Sequence, residues 1–120
     1  MPEIQMGVNE TRFAEIIWAN EPIAAGELSR KAEAALSWKK TTAYTVLKRL
    51  CDKGIFQNEK GIVTSRISEG EFYAIRSENF VEDTFHGSLP AFLAAFTSRK
   101  PLSRDEVLEL RRMVDRYEEE

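Results

Sequence analysis

The segment Ser37-Trp-Lys-Lys-Thr-Thr-Ala-Tyr-Thr-Val-Leu-Lys-Arg-Leu-Cys-Asp-Lys-Gly54 decides how the rest of the chain is read. Between its serine and its glycine lie sixteen residues with no Gly or Pro. The pattern predicts a helix that Ser37 caps and that Gly54 ends in a left-handed C′ position. Ala43, Val46, Leu47 and Leu50 recur at helical spacing and make one stripe for burial. The outward set is Thr41, Thr42, Tyr44, Thr45, Lys48 and Arg49, with Lys39 and Lys40 in the first turn. Five cations against one acid, Asp52, give residues 38–53 a net charge of +4. Short hydroxyls mixed with cations suit a helix that lies on a phosphate backbone and reaches base edges. Two lysines in a first turn oppose the helix dipole, so local stability does not account for them, whereas a nearby phosphate does. A solvated face on an ordinary helix is the competing reading of the same residues.

Upstream, the sequence predicts two further helices. Residues 1–8 read as a loose lead-in. Asn9 stands as an N-cap, with Val8 and Phe13 at the positions of a hydrophobic staple. Phe13, Ile16 and Ile17 give an amphipathic first helix with Trp18 near its end, and Asn20-Glu-Pro-Ile23 breaks it. A second helix is expected from Ala24 or Ala25 to Ala35, with Leu28 and Ala32 inward and small side chains that permit a close crossing. Only a residue or two then precedes Ser37. Two helices joined this tightly, the second one basic, form the helix-turn-helix pattern.

Downstream of Gly54 the periodicity changes. Residues 55–67 read as two short strands around a turn at Asn58 to Gly61, with Ile62, Val63, Thr64 and Ile67 enriching the second in β-branched residues. Three helices followed by a hairpin make a winged helix. Lys60 at the turn is placed to lie along a phosphate backbone, and Arg66 is either another contact or a surface charge.

The distribution of charge points the same way. The 120-residue chain has a net charge of −3, yet residues 1–67 carry +2 and residues 68–120 carry −5. A DNA-facing front half and an acidic back half turned away from phosphate are expected. Length favours one domain, or one with an appendage. No run reaches the length of a membrane span and the start has no signal-peptide character, so a cytoplasmic chain with no stable membrane association is expected.

The back half announces three helices. Ser68 and Glu71 have capping-box spacing with Ile67 and Phe72 at the staple positions, and Pro90 suits the first turn of a helix bearing Leu89, Phe92, Leu93 and Phe96. Leu102, Ser103, Glu106 and Val107 repeat the cap and staple ahead of a last helix with Val107, Leu110, Val114 and Tyr117 along one side. Its acidic tail, Glu118 to Glu120, is expected to fray. Five of the seven phenylalanines (72, 80, 85, 92 and 96) sit here with no sheet to cover them. A second copy of the chain is expected to bury Phe80, Phe85 and the stripes just named. A twofold dimer sets two recognition helices on successive turns of a duplex and so predicts a palindromic operator.

Catalytic chemistry has no purchase on this sequence. His86 is the single histidine and has no carboxylate at an obvious partnering distance, there is no glycine-rich phosphate loop, and no metal or other cofactor is expected. The lone Cys51 reads as packing, with an oxidation sensor as the alternative.

With these residues in view, the chain resembles the BlaI/MecI/CopY family of penicillinase and copper-homeostasis repressors from about Asn9 to Tyr117. The resemblance rests on Ile16-Ile-Trp18, on Thr42-Ala-Tyr-Thr-Val-Leu-Lys-Arg-Leu50 followed by Lys53-Gly54-Ile55, and on His86-Gly-Ser88. It implies a homodimeric winged-helix repressor that occupies a palindrome in double-stranded DNA and blocks transcription. Thr42 and Thr45 match positions on the family's recognition helix, and Arg49 matches an arginine that braces the fold or meets a phosphate. The family's β-lactam-responsive members are cut at an Asn-Phe bond, where this chain has Ala95-Phe96. Its copper-responsive members end in a cysteine cluster, where this chain ends in Arg116-Tyr-Glu-Glu-Glu120. Val63-Thr-Ser-Arg66 also replaces the usual aromatic-containing wing strand. An unidentified regulatory protease or inducer is therefore the remaining expected partner.

The expected architecture is mainly α with a small β-hairpin wing. Residues 1–68 form an N-terminal winged helix-turn-helix that binds DNA, and residues 69–120 a C-terminal helical dimerisation domain. The alternative function is a winged-helix module that binds another protein and has little affinity for DNA. A third is a small-ligand pocket among the back-half aromatics.

Overall fold

A computed structural model describes residues 4–119, the side chain of Glu119 excepted. Its elements in chain order are α1 (Val8–Asn20), β1 (Ile23–Ala24), α2 (Ala25–Leu36), α3 (Lys40–Asp52), β2 (Phe56–Glu59), β3 (Ile62–Ser65), α4 (Glu69–Phe85), α5 (Leu89–Arg99) and α6 (Arg104–Glu119). They divide into two compact units between Glu78 and Asn79, inside α4. The architecture is the expected one of helices, a small wing and further helices.

In the first unit, α1, α2 and α3 pack through the stripes their spacing predicts. Phe13 and Ile17 of α1, Leu28 and Ala32 of α2, and Ala43, Val46, Leu47 and Leu50 of α3 are all buried. Each large aliphatic or aromatic side chain so buried contributes about 1.5–3 kcal/mol. α3 ends as expected. Gly54 has φ 84°, its N–H donates to the Cys51 carbonyl at 3.0 Å, and the Ile55 N–H donates to the Leu50 carbonyl at 3.2 Å. This pair of bonds is a Schellman closure, and the positive φ is why glycine stands there.

Four expectations need correction. Ser37 does not cap α3. It closes α2 in the left-handed conformation at φ 58°, with its N–H on the Glu33 carbonyl and the Trp38 N–H on the Ala32 carbonyl. α3 instead starts at Lys40 behind an extended Lys39 that provides no side-chain cap. Asn9 is likewise not an N-cap, because α1 begins at Val8 behind Gly7. Val8 is 79% exposed, so no staple joins it to Phe13. The lead-in is not loose over its described part. Ile4 is buried in the core and Met6 packs against it, while residues 1–3 lie outside the described residues.

The fourth correction concerns the sheet, which has three strands in the order β1-β3-β2, all antiparallel. β1 joins Ile23, the last residue of the segment that reads as a break, to Ala24, which reads as a candidate helix start, and it exists by pairing Ile23 with Val63 and Ala24 with Ile62. The β2–β3 hairpin turns through Lys60 (φ 53°) and Gly61 (φ 85°), the double positive φ of a type I′ turn, with the Gly61 N–H donating to Asn58 Oδ1 at 3.0 Å. A Cβ at Gly61 meets nothing within 4 Å, so only backbone strain opposes a side chain there. Gly61→Ala is expected to lower stability by about 1 kcal/mol, measured as the denaturation midpoint. An unchanged midpoint contradicts this turn geometry.

The remaining helix starts follow their local signals. Ser68 Oγ accepts from the Glu71 N–H and Ser88 Oγ from the Ala91 N–H, each at 3.1 Å. At α6 the capping box is reciprocal. The Ser103 N–H donates to Glu106 Oε1 at 3.0 Å and the Glu106 N–H to Ser103 Oγ at 3.1 Å. The backbone and side-chain bonds to Ser103 hold the Glu106 carboxyl below its ordinary value. α6 extends to Glu119, and Glu120 is not described.

Candidate nucleic-acid interface

α3 turns its apolar stripe inward and its polar set outward. Lys39, Lys40, Thr41, Thr42, Tyr44, Thr45, Lys48 and Arg49 are all exposed, as are Lys60 at the hairpin turn and Arg66 just beyond β3. The Lys40 ammonium stands 5.9 Å from the centre of the Tyr44 ring, and the Thr45 hydroxyl donates to the Thr41 carbonyl at 2.8 Å. With its proton committed, Thr45 offers outward a methyl group and oxygen lone pairs. Tyr44, Leu47, Lys48 and Cys51 share a shallow groove with Asn58, so the turn end of β2 lies beside α3.

The start of α3 differs from those of the later helices. α4, α5 and α6 each open on a serine cap, and α4 and α6 carry acids in the first turn. α3 has neither a side-chain cap nor a first-turn acid. Its first amide N–H groups, the positive end of its dipole and two lysines therefore face outward together, a combination that favours an anion.

At the other end of α3 the cations are engaged within the chain. Lys48 is 3.8 Å from Asp52, both largely exposed, and such a pair contributes little. Arg49 Nη1 donates to Glu10 Oε1 at 3.0 Å, and Lys53 Nζ lies 3.6 Å from Glu10 Oε2 while donating to the Gln5 carbonyl. Glu10 and Lys53 are functional candidates that sequence reasoning missed. Their partners lie about forty residues away in sequence, beyond the reach of any local pattern.

The second unit is apolar without being buried. No residue from Asn79 to Glu118 is buried. Phe80, Phe85 and Phe92 meet edge to face and Phe96 lies tilted against Phe92, with neighbouring centroids 5.5–6.1 Å apart, yet Phe80 is 50% and Phe96 44% exposed. Leu93, Val107 and Leu110 are half-buried, and Leu89, Val114 and Tyr117 are exposed.

No group of three or more His, Cys, Asp or Glu side chains among the described residues is placed to hold a metal. No helix among them is long and apolar enough to cross a membrane. His86 is exposed at φ 52° in the α4–α5 turn. Burial first, and then the Asp52 carboxylate, push the Cys51 thiol up, which disfavours the reactive thiolate of an oxidation sensor.

Comparison with known proteins adds an independent line. The sequence profile of a family described as Penicillinase repressor matches residues 6–116. The chain is 24% identical to the penicillinase repressor of Bacillus licheniformis, over 94% of this chain and 91% of that one. It is 25% identical to the methicillin resistance regulatory protein MecI of Staphylococcus aureus strain Mu50, over 89% of this chain and 90% of the relative. Identity to MecI of Mammaliicoccus sciuri is 24% over the same shares.

Proposed function

From the premise that this chain belongs to the penicillinase repressor family, and is thus a winged-helix transcriptional repressor rather than an enzyme, we propose that it acts as a homodimer on a palindromic operator in double-stranded DNA. Residues 1–68 bind the duplex and residues 69–120 join the two copies. The observation that carries the reading is the outward face of α3, where cations and short hydroxyls surround an uncapped helix start.

The roles follow from the chemistry of the side chains. Lys39 and Lys40, with the first amides of α3, receive a phosphate, and Lys48 and the wing residues Lys60 and Arg66 extend the basic track. Thr41, Thr42, Tyr44 and Thr45 face the base edges. The lone pairs of Thr45 suit the amino donors of adenine or cytosine, and its methyl suits that of thymine. Phe80, Phe85, Leu89, Phe92, Leu93, Phe96, Val107, Leu110, Val114 and Tyr117 supply the seam between copies. The outward face of α3 from Lys39 to Arg49 carries no acid, which favours DNA over a protein partner. At the position of the family's cleaved Asn-Phe bond this chain has Ala95-Phe96, its Asn-Phe pair being Asn79-Phe80 within α4, so an inducer or regulatory protease acts by a route other than cleavage at that position.

A salt series on specific and random duplexes tests this assignment. Lys39→Ala is expected to weaken both to a similar degree and to reduce the slope of log K against log salt by roughly 0.9 for each phosphate the variant no longer neutralises. Thr45→Ala is expected to leave the slope alone and to narrow the preference for the specific duplex by about 1 kcal/mol. If Lys39→Ala, Lys48→Ala and Thr45→Ala all bind as the wild type does, α3 is not the DNA-reading element.

A further inference from the structure

Two helix ends of opposite polarity meet through one carboxylate. Glu10 stands in the first turn of α1, where the dipole favours an acid, and Arg49 and Lys53 stand in the last turn and at the C-cap of α3, where it favours cations. The cluster is partly withdrawn from water, with side-chain exposures of 21% for Glu10 and 16% for Lys53. Glu10 Oε2 is buried and has no hydrogen-bond partner, so the Lys53 ammonium 3.6 Å away is its compensation. Lys53 also donates to the Gln5 carbonyl, between the buried Ile4 and the core-packed Met6. One acid thus fastens the lead-in, the start of α1 and the far end of α3 to each other.

We propose that Glu10 is a positioning residue for DNA recognition, an inference that rests on the operator-binding reading above. By holding Arg49 and Lys53 it fixes the tilt of α3 and keeps both cations on the protein instead of on phosphate. Phosphate binding then falls to the start of α3 and to the wing, and Arg49 serves recognition by holding the helix rather than by touching the backbone of the duplex. Glu10 can do this because its own side chain and that of Lys53 are partly withdrawn from water, and although Arg49 is 50% exposed, releasing it to a phosphate breaks a charge-assisted hydrogen bond and leaves Glu10 with a single cation.

The test uses the full chain and a duplex that the wild-type protein selects from a random-sequence pool, beside an unselected duplex. Glu10→Gln and Arg49→Gln are each expected to weaken selected-duplex binding by about three- to tenfold, and the double variant no further, as for a coupled pair. Random-duplex binding and both salt slopes are expected to stay at wild-type values. A purely structural role would lower the active fraction on both duplexes equally, so the ratio of the two affinities separates positioning from stability. A salt slope that falls with Arg49→Gln by roughly 0.9 per phosphate identifies Arg49 as a phosphate ligand and overturns the assignment. Tighter binding of both duplexes by Glu10→Gln, as the freed cations reach phosphate, overturns it as well. In both of those outcomes wild-type operator binding stands. A wild-type chain that selects no duplex removes the operator reading itself, and this inference with it.

Discussion

Phe92→Asp is expected to yield a monomer whose affinity for the proposed operator is about 10²–10⁴-fold below that of the wild type, the span by which two linked sites outperform one. Phe92 lies within 6.1 Å, centroid to centroid, of Phe80, Phe85 and Phe96. None of the four is buried, and neither is any other described residue of the unit that begins at Asn79. A phenylalanine covers roughly 150–250 Å² when packed, and apolar burial contributes about 25 cal/mol per Å². Four such rings with the leucines and valines beside them are the apolar surface that the proposed association of two copies would bury. An aspartate at the middle of that seam must lose its hydration with no cation to compensate it. Both tryptophans, Trp18 and Trp38, lie before Glu78, so their fluorescence reports on the winged helix alone and is expected not to change. Sedimentation of wild type and variant decides the matter. A wild-type monomer at micromolar concentration, or a Phe92→Asp dimer, removes the basis for the palindrome.

The parts of this molecule legible in its sequence are those that short spacings encode. Ser68 with Glu71 and Ser103 with Glu106 can be read because cap and donor are three residues apart, and the structure bonds both pairs. The buried stripe of α3 and the glycine that ends it are equally local. What escapes reading depends on distant partners. Ser37 looks like a cap, but the crossing from α2 to α3, with Trp38 packed 5.1 Å from Phe13, sets it in the left-handed conformation instead. Ile23 and Ala24 carry no strand pattern and become β1 only because Val63 and Ile62 lie alongside. Ile4 reads as a tail until a core exists to receive it. In the candidate interface the outward face of α3 is visible from its residue types, whereas the attachment of Arg49 to Glu10 is not, since nothing near Arg49 in sequence specifies a carboxylate.

Phe72→Ala is expected to cost about 3–5 kcal/mol of folding stability, a large share of the roughly 5–15 kcal/mol that holds a domain of this size together. The ring is fully buried, 5.2 Å from Trp18, and Trp18 is in turn 5.1 Å from Phe56 of β2. The Trp18 indole also donates to the Ile67 carbonyl at 3.1 Å, one residue before the serine that caps α4. Removing the ring therefore opens a cavity where α1, the wing and the start of α4 meet. Neither the Ser68 cap nor the indole hydrogen bond can fill it. Collapse into the space is resisted because Trp18 is held at one edge by that hydrogen bond and at the other by Phe56. Tyr73, the next residue, is the control: its ring touches the edge of Phe72 at 5.1 Å but is exposed, so Tyr73→Ala is expected to cost no more than about 1 kcal/mol. Urea denaturation followed by tryptophan fluorescence measures both, with Trp18 itself as the reporter beside the cavity. Similar midpoints for the two variants are incompatible with Phe72 as the residue that fastens α4 to the winged helix.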